Sequence, residues 1–353
     1  MSESTTDLTA PADGHTLGED TGVTAGATQA AQLTSKIAKS GSVAVLVLVT
    51  ALAWGFSPTF GSLDNVRNIV LGGSFMGVIV VGMTFVIISG GIDLSVGSLF
   101  GLGAVMSEWM AHNGSSLLAV VVPIVVCAGV GLLQGTVIAR LGLPPFIVTL
   151  AGLLGVRGLD YFLTAEGNTV RQAEPHQAFL NLGQGVFLSI GYPVWIMLSL
   201  FAIGWWVLNR TAFGQAVQAV GISDSAAELM GLPVRRTKTL VYVISGAMCG
   251  IAGMLLVANS SGGQEARIGD GYELTAIACV IIGGTLLSGG VGSIVGSLAG
   301  VLLWFVIENI VNQTFQMTPY QDLMISGGFL LFVVIIQAVL ARRTRGESTV
   351  GAN

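Results

Sequence analysis

The sequence contains very little charge. Only 9% of its 353 residues are Asp, Glu, Lys or Arg, and 52% are hydrophobic. In an average soluble domain about a quarter of the residues are charged, so a water-soluble globular domain is excluded. The chain also has 50 glycines, and small residues let helices approach closely in lipid. The composition therefore predicts an all-α integral membrane protein.

Cysteine is also scarce, and the three copies stand apart. Each lies alone in an apolar run, without the C-x-x-C spacing of zinc or redox sites. The sequence therefore predicts neither a disulfide framework nor a metal site, and we interpret the thiols as small buried hydrophobic groups. They are Cys127, Cys249 and Cys279.

Lysine occurs only at Lys36, Lys39 and Lys238, and never after a glycine. This excludes the P-loop, G-x-x-x-x-G-K-[ST], in which backbone amides and a lysine hold phosphates. The three histidines are too scattered for H-E-x-x-H, and no G-x-S-x-G run occurs. The sequence therefore predicts that this chain is not an enzyme, and that it has no catalytic residue and no cofactor of its own.

Much of the acidic charge is concentrated at the N-terminus. Residues 1–35 contain five acids and no Lys or Arg, which leaves 14 acidic against 14 basic residues in the rest of the chain. This balance excludes the basic stripe that nucleic-acid binding requires. Residues 1–35 also have few large apolar side chains, so they are predicted to form a disordered cytoplasmic tail.

A helix needs about 20 apolar residues to cross the hydrocarbon core of a bilayer. By this criterion residues 36–345 form a transmembrane domain of about ten spans, followed by a cytoplasmic tail at 346–353. Glycine-rich sequence at 89–98 and 283–293 predicts breaks rather than ordinary loops. The predicted spans are 40–57, 69–89, 93–112, 117–139, 144–164, 191–208, 238–258, 273–288, 292–311 and 320–341.

The positions of Lys and Arg predict the orientation, because these residues accumulate in short cytoplasmic loops. With ten spans and a cytoplasmic N-terminus, ten of the 14 Lys and Arg residues lie on the cytoplasmic side. Both termini are therefore predicted to be cytoplasmic, with the chain embedded in the bacterial inner membrane and in contact with lipid.

The two glycine-rich runs resemble each other. Residues 90–98 read G-G-I-D-L-S-V-G-S, and residues 283–290 read G-G-T-L-L-S-G-G. The similarity is consistent with a chain built of repeated halves, an arrangement found in many transporters. Chance recurrence of Gly and Ser explains it equally well.

The longest predicted cytoplasmic segment, residues 209–237, contains the pattern of a short capped helix. Ser223 or Asp224 would cap it, Ala226, Ala227, Leu229 and Met230 would form one apolar face, and Gly231 and Pro233 would end it. Such a helix suits docking into a groove of a partner protein. A surface turn against the bilayer remains the alternative. We refer to this segment as the 209–237 loop.

Three stretches together resemble the permease subunits of bacterial ABC importers of the ribose, xylose and arabinose type, in the branched-chain amino acid/monosaccharide permease superfamily. The resemblance covers about residues 40–341. The stretches are V-I-I-S-G-G-I-D-L-S-V-G-S at 86–98, the loop at 210–233, and G-Y-E-L-T-A-I-A with G-G-T-L-L-S-G-G-V-G-S within 271–293.

The resemblance implies a function and a set of partners. The chain would be the permease subunit of an ATP-driven sugar importer, working with a separate ATP-binding subunit that holds ATP and Mg²⁺. An extracytoplasmic sugar-binding protein would deliver the substrate, and a second permease chain, identical or related, would complete the pore. The 209–237 loop would couple to the ATPase through Gly221, Asp224, Ala227, Glu228 and Gly231.

Few polar residues lie within the predicted spans, and each has a structural interpretation beside a functional one. Asp93 suits a helix cap, Arg157 and Asp160 can form an i,i+3 pair, and Glu308 can reach headgroups or water. The predicted translocation path consists of Asp93, Ser95, Arg157, Asp160, Glu308 and Asn309. Two alternative functions remain open: an ion-coupled secondary transporter using Asp93, Arg157 and Asp160, and an amino-acid ABC permease.

Overall fold

The computed structural model describes residues 42–55, 60–113, 115–165, 177–261 and 267–315, with five further positions between 321 and 331. The predicted tails at 1–35 and 346–353 lie outside the described residues, as does nearly all of the predicted span at 320–341. The elements in chain order are α1 (Ser42–Gly55), α2 (Leu63–Ile88), α3 (Val96–His112), α4 (Ser116–Leu141), α5 (Pro145–Leu163), α6 (Gln177–Gln184), β1 (Val186–Phe187), β2 (Ile190–Gly191), α7 (Tyr192–Arg210), α8 (Ala212–Ile222), α9 (Asp224–Leu229), α10 (Val234–Ser260), α11 (Tyr272–Ile282) and α12 (Ile294–Phe315).

Six of these helices are long and apolar enough to cross a membrane. They are α2, α4, α5, α7, α10 and α12. These helices confirm the prediction of an all-α membrane protein. They do not establish the predicted count of about ten spans or the side of the membrane on which the termini lie. The other predicted spans in the described residues correspond to shorter helices: α1, α3 and α11 have 14, 17 and 11 residues.

The predicted span at 273–288 is wrong at its C-terminal end. Helix α11 ends at Ile282 because the chain turns at Gly284, which has a φ of 86°. The amide of Gly284 donates to the Ile281 carbonyl at 2.9 Å, and that of Thr285 donates to the Val280 carbonyl at 3.3 Å. This is the Schellman motif, in which a glycine with positive φ ends a helix.

Helix α2 ends with the same motif. The amide of Gly90, at φ 80°, donates to the Ile87 carbonyl at 2.9 Å, and that of Gly91 donates to the Val86 carbonyl at 3.0 Å. The two glycine-rich runs therefore form the same type of turn at the end of a helix. The sequence pairs the two runs with Gly90 against Gly283. In the structure Gly90 instead corresponds to Gly284, because these are the glycines with positive φ in the two turns.

Helix α10 occupies the centre of the molecule, against α2, α3 and α4. Its closest neighbour is α4, because glycines remove the side chains between the two backbones. A Cβ atom at Gly131 of α4 would collide with the Tyr242 carbonyl oxygen, and one at Gly246 of α10 would collide with the Cys127 carbonyl oxygen. Such contact gives van der Waals packing in lipid, where the hydrophobic effect does not drive helices together.

The described residues also contain one β-hairpin that the sequence analysis missed. Strands β1 and β2 pair antiparallel, with Leu188 and Ser189 forming the turn at φ 51° and 65°. Two-residue hairpin turns with positive φ usually contain Asn-Gly or Asp-Gly. Leu-Ser carries no such signal, so the sequence offered no basis for predicting the hairpin.

Candidate coupling site and polar clusters

The 209–237 loop folds largely as two short helices, α8 and α9. The hydroxyl oxygen of Thr211 accepts from the Gly214 amide at 3.2 Å and so caps α8. Helix α8 is anchored to the body of the protein by buried Ala216, Val217 and Val220. The loop is therefore an ordered part of the protein rather than a linker.

Helix α9 begins and ends at the residues that the sequence indicates. The Ser223 hydroxyl oxygen accepts from the Ala226 amide at 3.3 Å, which confirms the predicted N-cap. Gly231, at φ 77°, forms a third Schellman motif: its amide donates to the Glu228 carbonyl at 2.9 Å, and the Leu232 amide donates to the Ala227 carbonyl at 3.0 Å. Gly231 thus lies after the helix and shapes the turn that follows it.

Three large apolar side chains, at the end of α8 and at the end of α9, are exposed. Leu229 is 90% exposed, Ile222 is 74% exposed and Met230 is 67% exposed. The predicted apolar face is wrong for Ala227, which is fully buried. Exposed apolar residues at the two ends of one short segment make that segment a candidate interaction site. We call Ile222, Leu229 and Met230 the α9 surface.

The five residues predicted to couple to the ATPase lie in different environments. Asp224 and Glu228 are exposed, and Asp224 forms an ion pair with Lys238 at the start of α10. Gly231 is exposed in its turn, whereas Ala227 is buried beneath the helix. Gly221 packs inward, where a Cβ atom would collide with the Ile88 carbonyl oxygen of α2.

Asp93 and Ser95 belong to a buried polar cluster between α3, α4 and α10. The Oδ1 atom of Asp93 accepts from the Ser95 amide at 2.9 Å and from the Ser95 hydroxyl at 2.6 Å. Its Oδ2 atom accepts from the Ser245 hydroxyl at 2.8 Å. Asp93 is 1% exposed, and Ser95 and Ser245 are 0% exposed. The carboxyl group therefore accepts hydrogen bonds from three buried donors. It links the segment between α2 and α3 to α10.

Gln134 of α4 completes this cluster. Its Oε1 atom lies 3.1 Å from the Ser95 hydroxyl oxygen, whose single proton makes the shorter bond to Asp93, and its Nε2 atom lies against Gly152 of α5 without a hydrogen-bond partner. A Cβ atom at Gly152 would also lie 3.3 Å from that of Ser95. These close approaches show that α3, α4 and α5 are tightly packed at the cluster, as expected of a structural anchor.

Arg157 and Asp160 lie together near the C-terminal end of α5. The Arg157 Nη1 and Asp160 Oδ2 atoms are 3.9 Å apart, whereas Arg157 Nη2 lies only 2.9 Å from Asp270 Oδ1. Arg157 Nη1 also donates to the Ile268 carbonyl at 2.9 Å. Of these two carboxylates, that of Asp270 lies closer to the guanidinium, and Arg157 therefore ties α5 to the segment before α11.

Replacing Arg157 with alanine should loosen the segment that precedes α11. Hydrogen bonds to charged groups contribute about 1.5–3 kcal/mol, and we therefore expect amide hydrogen exchange across residues 268–275 to accelerate about tenfold or more. Hydrogen-exchange mass spectrometry of the purified protein measures this directly. Peptides from α4 should exchange at the wild-type rate.

The control for this prediction is Arg267→Ala. Arg267 also forms an ion pair with Asp270, at 3.4 Å, but its side chain is 71% exposed. Exposed ion pairs contribute little to stability, so exchange in 268–275 should change much less than in Arg157→Ala. Equal effects of the two substitutions would contradict the anchoring role of Arg157.

Glu308 and Asn309 lie on α12, opposite the N-terminal part of α2. The side-chain amides of Asn309 and Asn65 each donate to the other's oxygen at 3.0 Å. Gln313 Nε2 donates to the Asn65 oxygen at 2.9 Å and to the Asn309 oxygen at 3.1 Å. These contacts form an amide network between α2 and α12, and Glu308 is partly buried beside it.

The six predicted path residues therefore occupy three separate places: the Asp93 cluster, the Arg157 cluster and the amide network. Sequence reasoning missed Gln134, Ser245, Asp270 and Asn65, because these partners are brought in by helices distant along the chain. Among the described residues, no group of three His, Cys, Asp or Glu side chains could hold a metal ion.

Comparison with known proteins identifies the family. Residues 65–334 match the family model described as the branched-chain amino acid transport system permease component. The chain is 36% identical over 297 residues to the ribose import permease of Escherichia coli (strain K12), covering 83% of this chain and 91% of that protein. It is 37% identical over 300 residues to the L-arabinose ABC transporter permease of Azospirillum brasilense, covering 85% and 87%. It is 30% identical over 308 residues to the fructose import permease of Bifidobacterium longum (strain NCC 2705), covering 85% and 90%. The chain therefore belongs to the family of branched-chain amino acid transport system permease components.

Proposed function

We propose that this chain is the permease subunit of an ATP-driven sugar importer in the bacterial inner membrane. The observation that carries the proposal is the similarity, over most of the chain, to permeases whose names specify ribose, L-arabinose and fructose. The family description also names amino acids, which keeps an amino-acid permease as the second candidate. The named sugar permeases favour a sugar as substrate.

The proposal requires partners that supply energy and substrate. The sequence has no P-loop, so ATP and Mg²⁺ would bind to a separate ATP-binding subunit. The α9 surface, together with Asp224, Glu228 and the Gly231 turn, would dock into that subunit. An extracytoplasmic sugar-binding protein would deliver the sugar, and a second permease chain, identical or related, would complete the pore.

An ion-coupled secondary transporter is supported less well. Such a carrier would need ionisable groups gathered at an ion or substrate site. Asp93 instead accepts three hydrogen bonds from Ser95 and Ser245, and Arg157 is paired with Asp270 in a different cluster. These contacts favour structural roles for the charged groups that such a mechanism would use.

The proposed topology has ten spans across residues 36–345, with the tails at 1–35 and 346–353 in the cytoplasm. In this arrangement α9 lies on the cytoplasmic side and the β1–β2 hairpin lies outside. The three native cysteines are buried, so a single introduced cysteine can report the side of the membrane on which it lies. Ser225 and Leu188 are suitable positions because both are exposed.

We expect an impermeant maleimide to label Leu188→Cys in intact cells but to label Ser225→Cys only after the membrane is opened. The unmodified chain should remain unlabelled under both conditions and serves as the control. Labelling of Ser225→Cys in intact cells, with Leu188→Cys protected, would reverse the proposed orientation.

The function itself is tested by sugar entry into sealed vesicles that contain this chain with its ATP-binding subunit and sugar-binding protein. Sugar should accumulate only when ATP is available to the ATP-binding subunit. Ribose, L-arabinose and fructose are the first substrates to compare, with a branched-chain amino acid as the competing candidate.

A further inference from the structure

Three backbone segments that are far apart in the sequence are in contact at four glycines. Gly90 lies in the break between α2 and α3, Gly221 lies in the last turn of α8, and Gly289 and Gly290 lie in the break between α11 and α12. We call these four residues the glycine junction. The chain turns in both breaks at this point, since Gly90, Gly289 and Gly290 have φ values of 80°, 83° and 78°.

The two breaks are joined directly by a backbone hydrogen bond at this junction. The Gly290 amide donates to the Ile88 carbonyl at 2.8 Å. A Cβ atom at Gly289 would lie 2.8 Å from the Gly90 Cα atom, which is closer than Cβ atoms approach other atoms in proteins. The end of α2 and the break before α12 are therefore in backbone contact.

The end of α8 packs against this hydrogen bond. A Cβ atom at Gly221 would lie 2.5 Å from the Gly290 nitrogen and would collide with the Ile88 carbonyl oxygen. A Cβ atom at Gly289 would lie 2.8 Å from the Gly221 carbonyl oxygen. At Gly221 and Gly289 the atoms that a Cβ atom would meet are all backbone atoms, which cannot rotate away as the end of a side chain can.

Helix α9 is connected to the junction through one residue. Ser223 separates α8 from α9 and is bonded to both: its amide donates to the Ala219 carbonyl at 3.1 Å, and its hydroxyl oxygen accepts from the Ala226 amide at 3.3 Å. Ile222, which belongs to the α9 surface, also packs against Gly290. A force on α9 therefore reaches Gly221 through a short, hydrogen-bonded connection.

We infer that the glycine junction transmits the movement of α9 to both broken helix pairs, α2–α3 and α11–α12, during ATP-driven transport. This inference rests on the proposed function, because it assigns Gly221 a place in that function's energy coupling. Gly221 would thus act as a positioning residue inside the permease rather than as a contact for the ATP-binding subunit. Closely packed elements shift between discrete arrangements instead of deforming continuously, so both breaks would move together.

The test is Gly221→Ala in the complex with the ATP-binding subunit and the sugar-binding protein, reconstituted in vesicles. The added methyl group meets backbone atoms that cannot rotate away. We expect the complex to retain its ATP-binding subunit and to hydrolyse ATP. The amount of sugar imported per ATP hydrolysed should fall about tenfold, within the usual range of coupling between sites.

Two further variants keep the test decisive. Gly289→Ala alters the junction at a residue outside the 209–237 loop, and it should also lower the amount of sugar imported per ATP hydrolysed. It therefore tests the inference even if the Gly221→Ala complex does not assemble. Gly129→Ala is the matched control, because it makes the same substitution in a long helix where a Cβ atom would meet nothing within 4 Å. It should import as much sugar per ATP hydrolysed as the wild type.

The inference would be overturned if both junction variants imported wild-type amounts of sugar per ATP hydrolysed. It would also be overturned if both lost import only in proportion to lost ATP-binding subunit, since the junction would then serve assembly alone. Failure of the proposed function gives a different result, because the wild-type complex itself would then show no ATP-dependent sugar import.

Discussion

Replacing Leu229 with aspartate should release the ATP-binding subunit while leaving the permease folded. Leu229 is 90% exposed and lies on α9 beside Met230, so a charged side chain there costs the isolated chain little. At an interface the same change would place an unpaired charge against an apolar groove. Losing a central contact of this kind costs about 2 kcal/mol or more, so we expect affinity for the ATP-binding subunit to fall roughly thirtyfold.

The affinity is measured by titrating the ATP-binding subunit onto the purified permease in mild detergent. Leu188→Asp is the matched control: Leu188 is 71% exposed, but it lies in the turn of the β1–β2 hairpin, on the opposite side of the membrane in the proposed topology. The control should bind the subunit like the wild type. If Leu229→Asp also binds like the wild type, the α9 surface is not the docking site.

Replacing Asp93 with alanine should strongly destabilise the chain. The carboxyl group accepts from the Ser95 amide, the Ser95 hydroxyl and the Ser245 hydroxyl, all within a buried cluster. Each buried donor left without a partner costs about 1–3 kcal/mol. Thermal unfolding in detergent should therefore show a fall in the apparent melting temperature of roughly 5–10 °C.

Asp93→Asn distinguishes a structural anchor from a residue of the translocation path. Its side-chain oxygen can keep both bonds from Ser95, and its amide can donate to the Ser245 hydroxyl oxygen. Only the Ser245 hydroxyl proton loses its acceptor, so we expect this variant to melt between Asp93→Ala and the wild type and to retain sugar import. A variant that remains stable but no longer imports sugar would instead assign Asp93 to the translocation path.

The sequence predicts local features of this fold well. Its composition indicates a membrane-spanning helical chain, and the residues around α9 indicate the Ser223 cap and the turn at Gly231. Both are confirmed because caps and Schellman turns depend on residues close together in the chain. The breaks at 89–98 and 283–293 are foreseen for the same reason, since glycine permits the positive φ of Gly90 and Gly284.

The polar partners are less predictable because they depend on how distant helices pack. The i,i+3 spacing of Arg157 and Asp160 suggests a local pair, yet the guanidinium lies closer to Asp270, which precedes another helix. The prediction that Asp93 caps a helix is wrong, because Ser95 is the N-cap residue of α3 and Asp93 also accepts a bond from Ser245 of α10. The backbone contacts of Gly221 are likewise not predictable, because nothing in the sequence shows that α8 ends against the two breaks.

The most direct test of the central proposal is sugar flux into sealed vesicles, measured for this chain alone and for its complex with the ATP-binding subunit and the sugar-binding protein. Our account predicts sugar accumulation by the complex only with hydrolysable ATP, and none by the chain alone. Ion-driven accumulation by the purified chain without ATP would contradict the account and identify a secondary transporter.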